Sequence, residues 1–143
     1  MSARSSITAR LMETWAHGQA IYDHLGVARI DADRIKNIAH LGVNTFGWTY
    51  AARGREAPEN KPWVILTAPS GAEWEWNTPN DNNLVTGEAT EFCQVVAQTR
   101  NIADTKLTVV GEVANEWMSM AQCFAGPAEN PPLPGTRFCD HIT

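Results

Sequence analysis

The spacing of apolar residues changes character once along this chain, and that change constrains the fold more than any single motif does. Up to Gly54 they recur every three or four positions, and after Lys61 stretches such as Glu73-Trp-Glu-Trp76 alternate with a period of two. The first period belongs to helices and the second to strands. An α+β chain is expected, with a helical hairpin over residues 1–54, a small α+β domain over 62–126 and a Pro-rich tail over 127–143. The polar, Pro-bearing run from Arg55 to Lys61 is read as the linker.

In the helical part, Ser5 or Ser6 can cap a helix from Ser6 to Leu25, which Gly26 stops. Ile7, Leu11, Trp15, Tyr22 and Leu25 give it a wide apolar arc. Asp31 or Asp33 caps a second helix, expected to run unbroken to about Arg53 and to stop at Gly54. Its buried face is Ile35, Ile38, Ala39, Gly42, Phe46, Thr49 and Tyr50, with Gly42 leaving room for a neighbour. The two helices form an antiparallel hairpin, half of a four-helix bundle. His40 falls outside that face, beside Lys36 and Asn44.

Beyond the linker, Trp63–Thr67, a turn over Ala68–Gly71 and Glu73–Trp76 read as a β-hairpin with Trp74 and Trp76 on one face. A third strand covers Leu84–Thr86 and ends at Gly87. A helix follows from Glu88 to about Arg100, then a strand over Lys106–Gly111 and a last helix over Val113–Phe124, stopped by Gly126. Trp117 is expected under the sheet with Phe92 and Phe124. Cys93 reads as a small buried apolar group. The tail is extended or pinned on the surface, and Cys139 and His141 in it could hold a metal, although two ligands are weak evidence for a site.

Composition narrows the function. Eleven Lys and Arg against 16 Asp and Glu give a net charge of −5, with no basic block, so no nucleic-acid partner is expected. Three cysteines without a C-x-x-C spacing fit neither a disulfide framework nor a zinc ribbon, and point to a reducing cytoplasm. No stretch is long enough to span a membrane, and the first residues lack the apolar core of a leader.

The run Glu13-Thr-Trp-Ala-His17 carries the most chemistry. Residues four apart on a helix lie one above the other, so the Glu13 carboxylate and the His17 imidazole can share one ion. They can equally pair with each other on a solvated face that also holds Arg10 and His24. His24 lies about two turns on, roughly 10 Å, too far for the same ion.

Glu13-Thr-Trp-Ala-His17-Gly-Gln, with Ile38-Ala-His-Leu-Gly-Val43 on the next helix, resembles the second half of the bundle in the DinB-like, mycothiol-dependent maleylpyruvate isomerase family. Val85-Thr-Gly87, the strand closing at Gly111 and the stretch from Trp117 to Gly126 are similar to that family's sterol-carrier-like C-terminal domain. Some relatives carry a wyosine base formation label there, a tRNA-modification name that the acidic charge balance ranks a distant third.

The resemblance implies a divalent metal, zinc above all, held by Glu13 and His17, with a low-molecular-weight thiol as cofactor. The family's third ligand comes from a helix earlier than any in this chain. Either the site is lost, or His40, a partner chain or a second copy supplies that ligand. On this reading the chain is a metal-assisted isomerase or transferase acting on a small molecule, with Trp74, Trp76, Phe92 and Trp117 lining an apolar pocket. The alternative is a non-catalytic module that binds a hydrophobic ligand or dimerises. A homodimer that rebuilds the four-helix bundle is expected in either case, with Trp15, Phe46 and Trp48 at its interface.

Overall fold

The computed structural model describes residues 35–135. The first helix of the expected hairpin, with Glu13, Trp15 and His17, lies outside the described residues, as do Cys139 and His141. The described chain is mixed α+β: α1 (Lys36–Asn44), α2 (Phe46–Ala51), β1 (Trp63–Thr67), β2 (Glu73–Trp76), β3 (Leu84–Glu88), α3 (Ala89–Val96), a 3₁₀ turn (Ile102–Asp104), β4 (Thr108–Val110) and α4 (Glu112–Met120).

The expected unbroken second helix is two helices. Thr45 sits between them at φ −96° and ψ 15°, and its hydroxyl donates to the carbonyls of Leu41 and Gly42 at 2.8 and 3.1 Å. Such back-bonding by Thr competes with the helical ladder and bends it. The expected end at Gly54 is found. Gly54 takes φ +68°, its N–H bonds to the Ala51 carbonyl, and the Arg55 N–H reaches the Tyr50 carbonyl, closing the helix as a Schellman motif.

The sheet runs β2-β1-β3-β4. The β1–β2 hairpin is antiparallel, β3 lies parallel to β1 on its other side, and β4 closes antiparallel to β3. Register places Val64 beside Trp76 and Val85, and Leu66 beside Trp74, on one face. Because side chains alternate along a strand, Trp63, Ile65, Leu84 and Val110 share the other. The first face is buried with the helices. The second is half-buried to exposed, and Val110 is 38% exposed.

One core joins the helices before residue 55 to the sheet and helices after residue 62. All seven residues expected on the buried face of the second helix are buried. Ile38, Phe46 and Tyr50 pack in the same cluster as Phe92, Val96 and Trp117. Phe46 meets Tyr50 and Trp117 at ring centroid distances of 5.2 and 5.3 Å. Gly42 lets α3 pack closely on α1, where an added Cβ would stand 2.8 Å from Val96 Cγ2.

Later boundaries also differ from the periodicity: the third strand runs on to Glu88 and the fourth is shortened to Thr108–Val110. Helix α3 ends at Val96 because Gln98 turns left-handed, at φ +59°, and its amide donates to the carbonyls of Ala121 and Glu129. Helix α4 ends at Met120, four residues before the expected Phe124. There the backbone is drawn off by other partners: the Gln122 N–H bonds to Thr49 Oγ1 and the Cys123 N–H to the Val96 carbonyl. Buried Gln122 then gathers the following turn, donating to the carbonyls of Phe124 and Pro127 and accepting from the Glu129 N–H. The described part of the tail is pinned accordingly. Arg53 holds the Glu129 carbonyl, Asn101 the Pro132 carbonyl, and Asp104 the Gly135 N–H.

Candidate functional site

The outer row of α1 and the β2 edge hold His40, Trp74 and Trp76, candidate site residues that the structure describes. Positions Lys36, His40 and Asn44 are four apart, so they stack on one side of α1, away from Ile38, Ala39 and Gly42. All three are exposed. The Lys36 ammonium lies 5.5 Å from the Trp74 ring centroid, a cation–π distance. Trp74 is 7% exposed and Trp76 is half-buried, so Trp76 is the open part of the aromatic wall.

His40 is held at both ring nitrogens. The Trp76 indole N–H donates to Nδ1 at 3.2 Å, and the Asn44 amide lies 2.9 Å from Nε2. An indole nitrogen can only donate, so Nδ1 accepts and the proton of a neutral ring sits on Nε2. The Asn44 group facing Nε2–H must then be its carbonyl oxygen, the amide being turned to suit the network. In this arrangement neither ring nitrogen offers a free lone pair. A metal role for His40 requires the Trp76 bond to break, which frees the Nδ1 lone pair, and ligation through Nε2 requires the tautomer to change as well.

Phe92 and Trp117 lie deeper. Both are fully buried, with centroids 5.8 Å apart at 68°, and Trp117 packs edge-on against Phe46 as well. These rings fill the core. Phe124 is half-buried against the same cluster and uses its carbonyl to accept the Trp48 indole N–H at 3.0 Å. Phe46, expected at a dimer interface, is 1% exposed and belongs to the chain's own core, whereas Trp48 remains 39% exposed. Cys93 is buried as expected, and its thiol faces the Ile35 carbonyl at 3.6 Å. Burial pushes the Cys123 thiol up to about 12, which leaves it protonated and unreactive.

Among the described residues no group of three His, Cys, Asp or Glu side chains could hold a metal ion. Nor is any described helix long and apolar enough to cross a membrane. Periodicity missed the polar residues that fix the frame, Asn83 and Gln122, because a buried amide breaks no apolar pattern.

The chain is similar to two uncharacterized proteins of Mycobacterium tuberculosis, one from strain CDC 1551 / Oshkosh and one from strain ATCC 25618 / H37Rv. Each is 44% identical over 127 residues, which are 89% of this chain and 49% of the relative. The chain thus spans about half the length of the curated relatives it matches. No protein-family model matches it, and no solved structure does.

Proposed function

We propose that the chain is one part of a metal-assisted, thiol-dependent isomerase or transferase resembling the DinB-like, mycothiol-dependent family. Glu13 and His17 are then two of the ion's ligands, and the remaining donors come from chain beyond this sequence or from a second copy. The observation that supports this reading is the length of the relatives. The matched 127 residues are 49% of each, so in those relatives about as much chain again has room for the helices and the ligand that the resemblance requires. A bound divalent ion would supply Lewis acidity, keeping a small thiol as its thiolate. The described residues contribute the frame, a row of Lys36, His40 and Asn44 beside the Trp76 wall.

Zinc addition tests the proposal. Binding to the native state alone raises the melting temperature by mass action. Wild-type protein that includes the chain supplying the remaining donors should respond, and its Glu13→Ala, His17→Ala double variant should not. An equal shift in both removes these residues from the site.

A second reading is favoured by the half-open face of the sheet. Trp63, Ile65, Leu84 and Val110 present apolar surface there, which suits a non-catalytic module that binds a hydrophobic ligand or another chain. Stoichiometric zinc in the purified chain counts against that reading. Light scattering that finds a monomer at micromolar concentration, zinc present, counts against the dimer.

A further inference from the structure

Away from His40, the loops 59–61 and 77–80 face each other across a cleft of about 370 Å³. Its back wall is fixed. Asn77 adopts φ +68°, a region open chiefly to Asn, Asp and Gly, and its amide donates to the Pro62 carbonyl at 2.9 Å. Asn83, only 8% exposed, ties both loops to α4. Its side-chain amide donates to the Asn60 carbonyl at 3.4 Å, its backbone carbonyl accepts the Trp63 N–H at 2.9 Å, and its Oδ1 accepts the Ala114 N–H at 2.9 Å. Gly111 lets this happen: at φ +100° it lies so close that a Cβ would collide with the Asn82 carbonyl oxygen.

The front of the cleft is unpaired. Glu59 and Lys61 have opposite charges, yet among the described residues neither has an ion-pair or hydrogen-bond partner, and the same holds for the Asn60 amide and the Thr78 hydroxyl. The Asn80 carbonyl oxygen Oδ1 accepts the Asn82 N–H, which leaves the NH₂ group of that side chain to donate. A loop held this firmly while its charged groups stay unused is placed for recognition. A simple anion would meet Glu59 and a simple cation Lys61, and among the described residues no aromatic ring lines the cleft to stack on a sugar. A ligand carrying both charges satisfies both residues, and the volume falls within the range of small-molecule sites, about 300–1,000 Å³.

The geometry points to a binding site for a small zwitterion of the amino-acid class, its ammonium on Glu59 and its carboxylate on Lys61, with the side-chain amides of Asn60 and Asn80 completing the contacts. A free amino acid and the two ends of a short peptide share this chemistry. Amide NMR titration of the chain with L-alanine and with dialanine tests the site and tells the two sources apart. Saturable shifts confined to residues 59–61 and 77–80 are expected for one or both. N-acetylalanine and alanine amide, each lacking one charge, should bind tenfold or more weakly, as should zwitterion to Glu59→Gln or Lys61→Met. The melting temperature of both variants should stay that of wild type, so that loss of binding is not loss of fold. The proposal is overturned if neither zwitterion saturates at millimolar concentration, if the singly charged analogues bind as well, or if both variants bind like wild type.

Discussion

Replacing Trp117 separates two opposing terms in the core. The indole is 1% exposed and contacts Phe46 and Phe92 edge-on, so Trp117→Ala removes a large buried ring and both aromatic pairs. Loss of a core aromatic costs about 3–5 kcal/mol. Against a typical total of about 5–15 kcal/mol, that is a large share. Trp117→Phe keeps a ring between Phe46 and Phe92 but loses part of the buried area. It also removes the indole N–H, which is buried without a hydrogen-bond partner among the described residues. Leaving such a donor unsatisfied costs about 1–3 kcal/mol, and relief of that cost offsets much of the lost volume. Trp117→Phe should therefore fall within about 1.5 kcal/mol of wild type, the scale of volume-conserving core changes. Urea unfolding followed by far-ultraviolet circular dichroism measures both, with the slope checked for constancy. A loss below about 1 kcal/mol for Trp117→Ala would mean that the ring carries little of the core. If Trp117→Phe proves as damaging as Trp117→Ala, the unsatisfied donor is not a real cost.

Two glycines should respond oppositely to alanine. At Gly42 the new Cβ stands 2.8 and 3.0 Å from the methyls of Val96 and 3.1 Å from Phe92 Cε2, so overpacking of about 1–3 kcal/mol should exceed the helix-propensity gain of about 1. At Gly47 nothing lies within 4 Å, and Gly47→Ala should stabilise by about 0.5–1 kcal/mol; thermal melts that reverse this order would refute the α1–α3 contact. The Arg55 guanidinium, 3.0 Å from Glu116, holds that carboxyl below its ordinary value. Its stabilisation is thus present above the unfolded carboxyl's pKa, about 4.3, and is lost as pH falls through the lower native value. Both side chains are more than a third exposed, so the effect is small and salt-sensitive, and Glu116→Gln should differ from wild type near neutrality but converge with it in acid. A gap that persists in acid would point to a cause other than charge. Cys123, with its thiol pushed up to about 12, should resist iodoacetamide in the native chain and react on unfolding in urea. Rapid native labelling at Cys123 would contradict its burial.

The sequence by itself determined where elements form and which side they bury, because periodicity records burial directly. The faces of Ile38, Phe46 and Tyr50 on the helices and of Trp74 and Trp76 on the second strand were legible, as was the stop at Gly54. Strand boundaries at Trp63–Thr67 and Glu73–Trp76 followed from turn residues on either side. The half-site Glu13 and His17 was legible as a spacing, but that spacing fits an ion pair as well as a metal. Tertiary structure decided what local pattern cannot encode. Helix α4 stops at Met120 because Thr49 and Val96, distant in sequence, offer its backbone better partners. Gln98 turns left-handed without being glycine because its side chain reaches Ala121 and Glu129. His40 has its tautomer set by an indole 36 residues away, and Asn83 joins three segments through one buried amide. A polar group buried far from its partner leaves no mark on hydrophobic period, and only the folded chain brings the two within hydrogen-bonding distance.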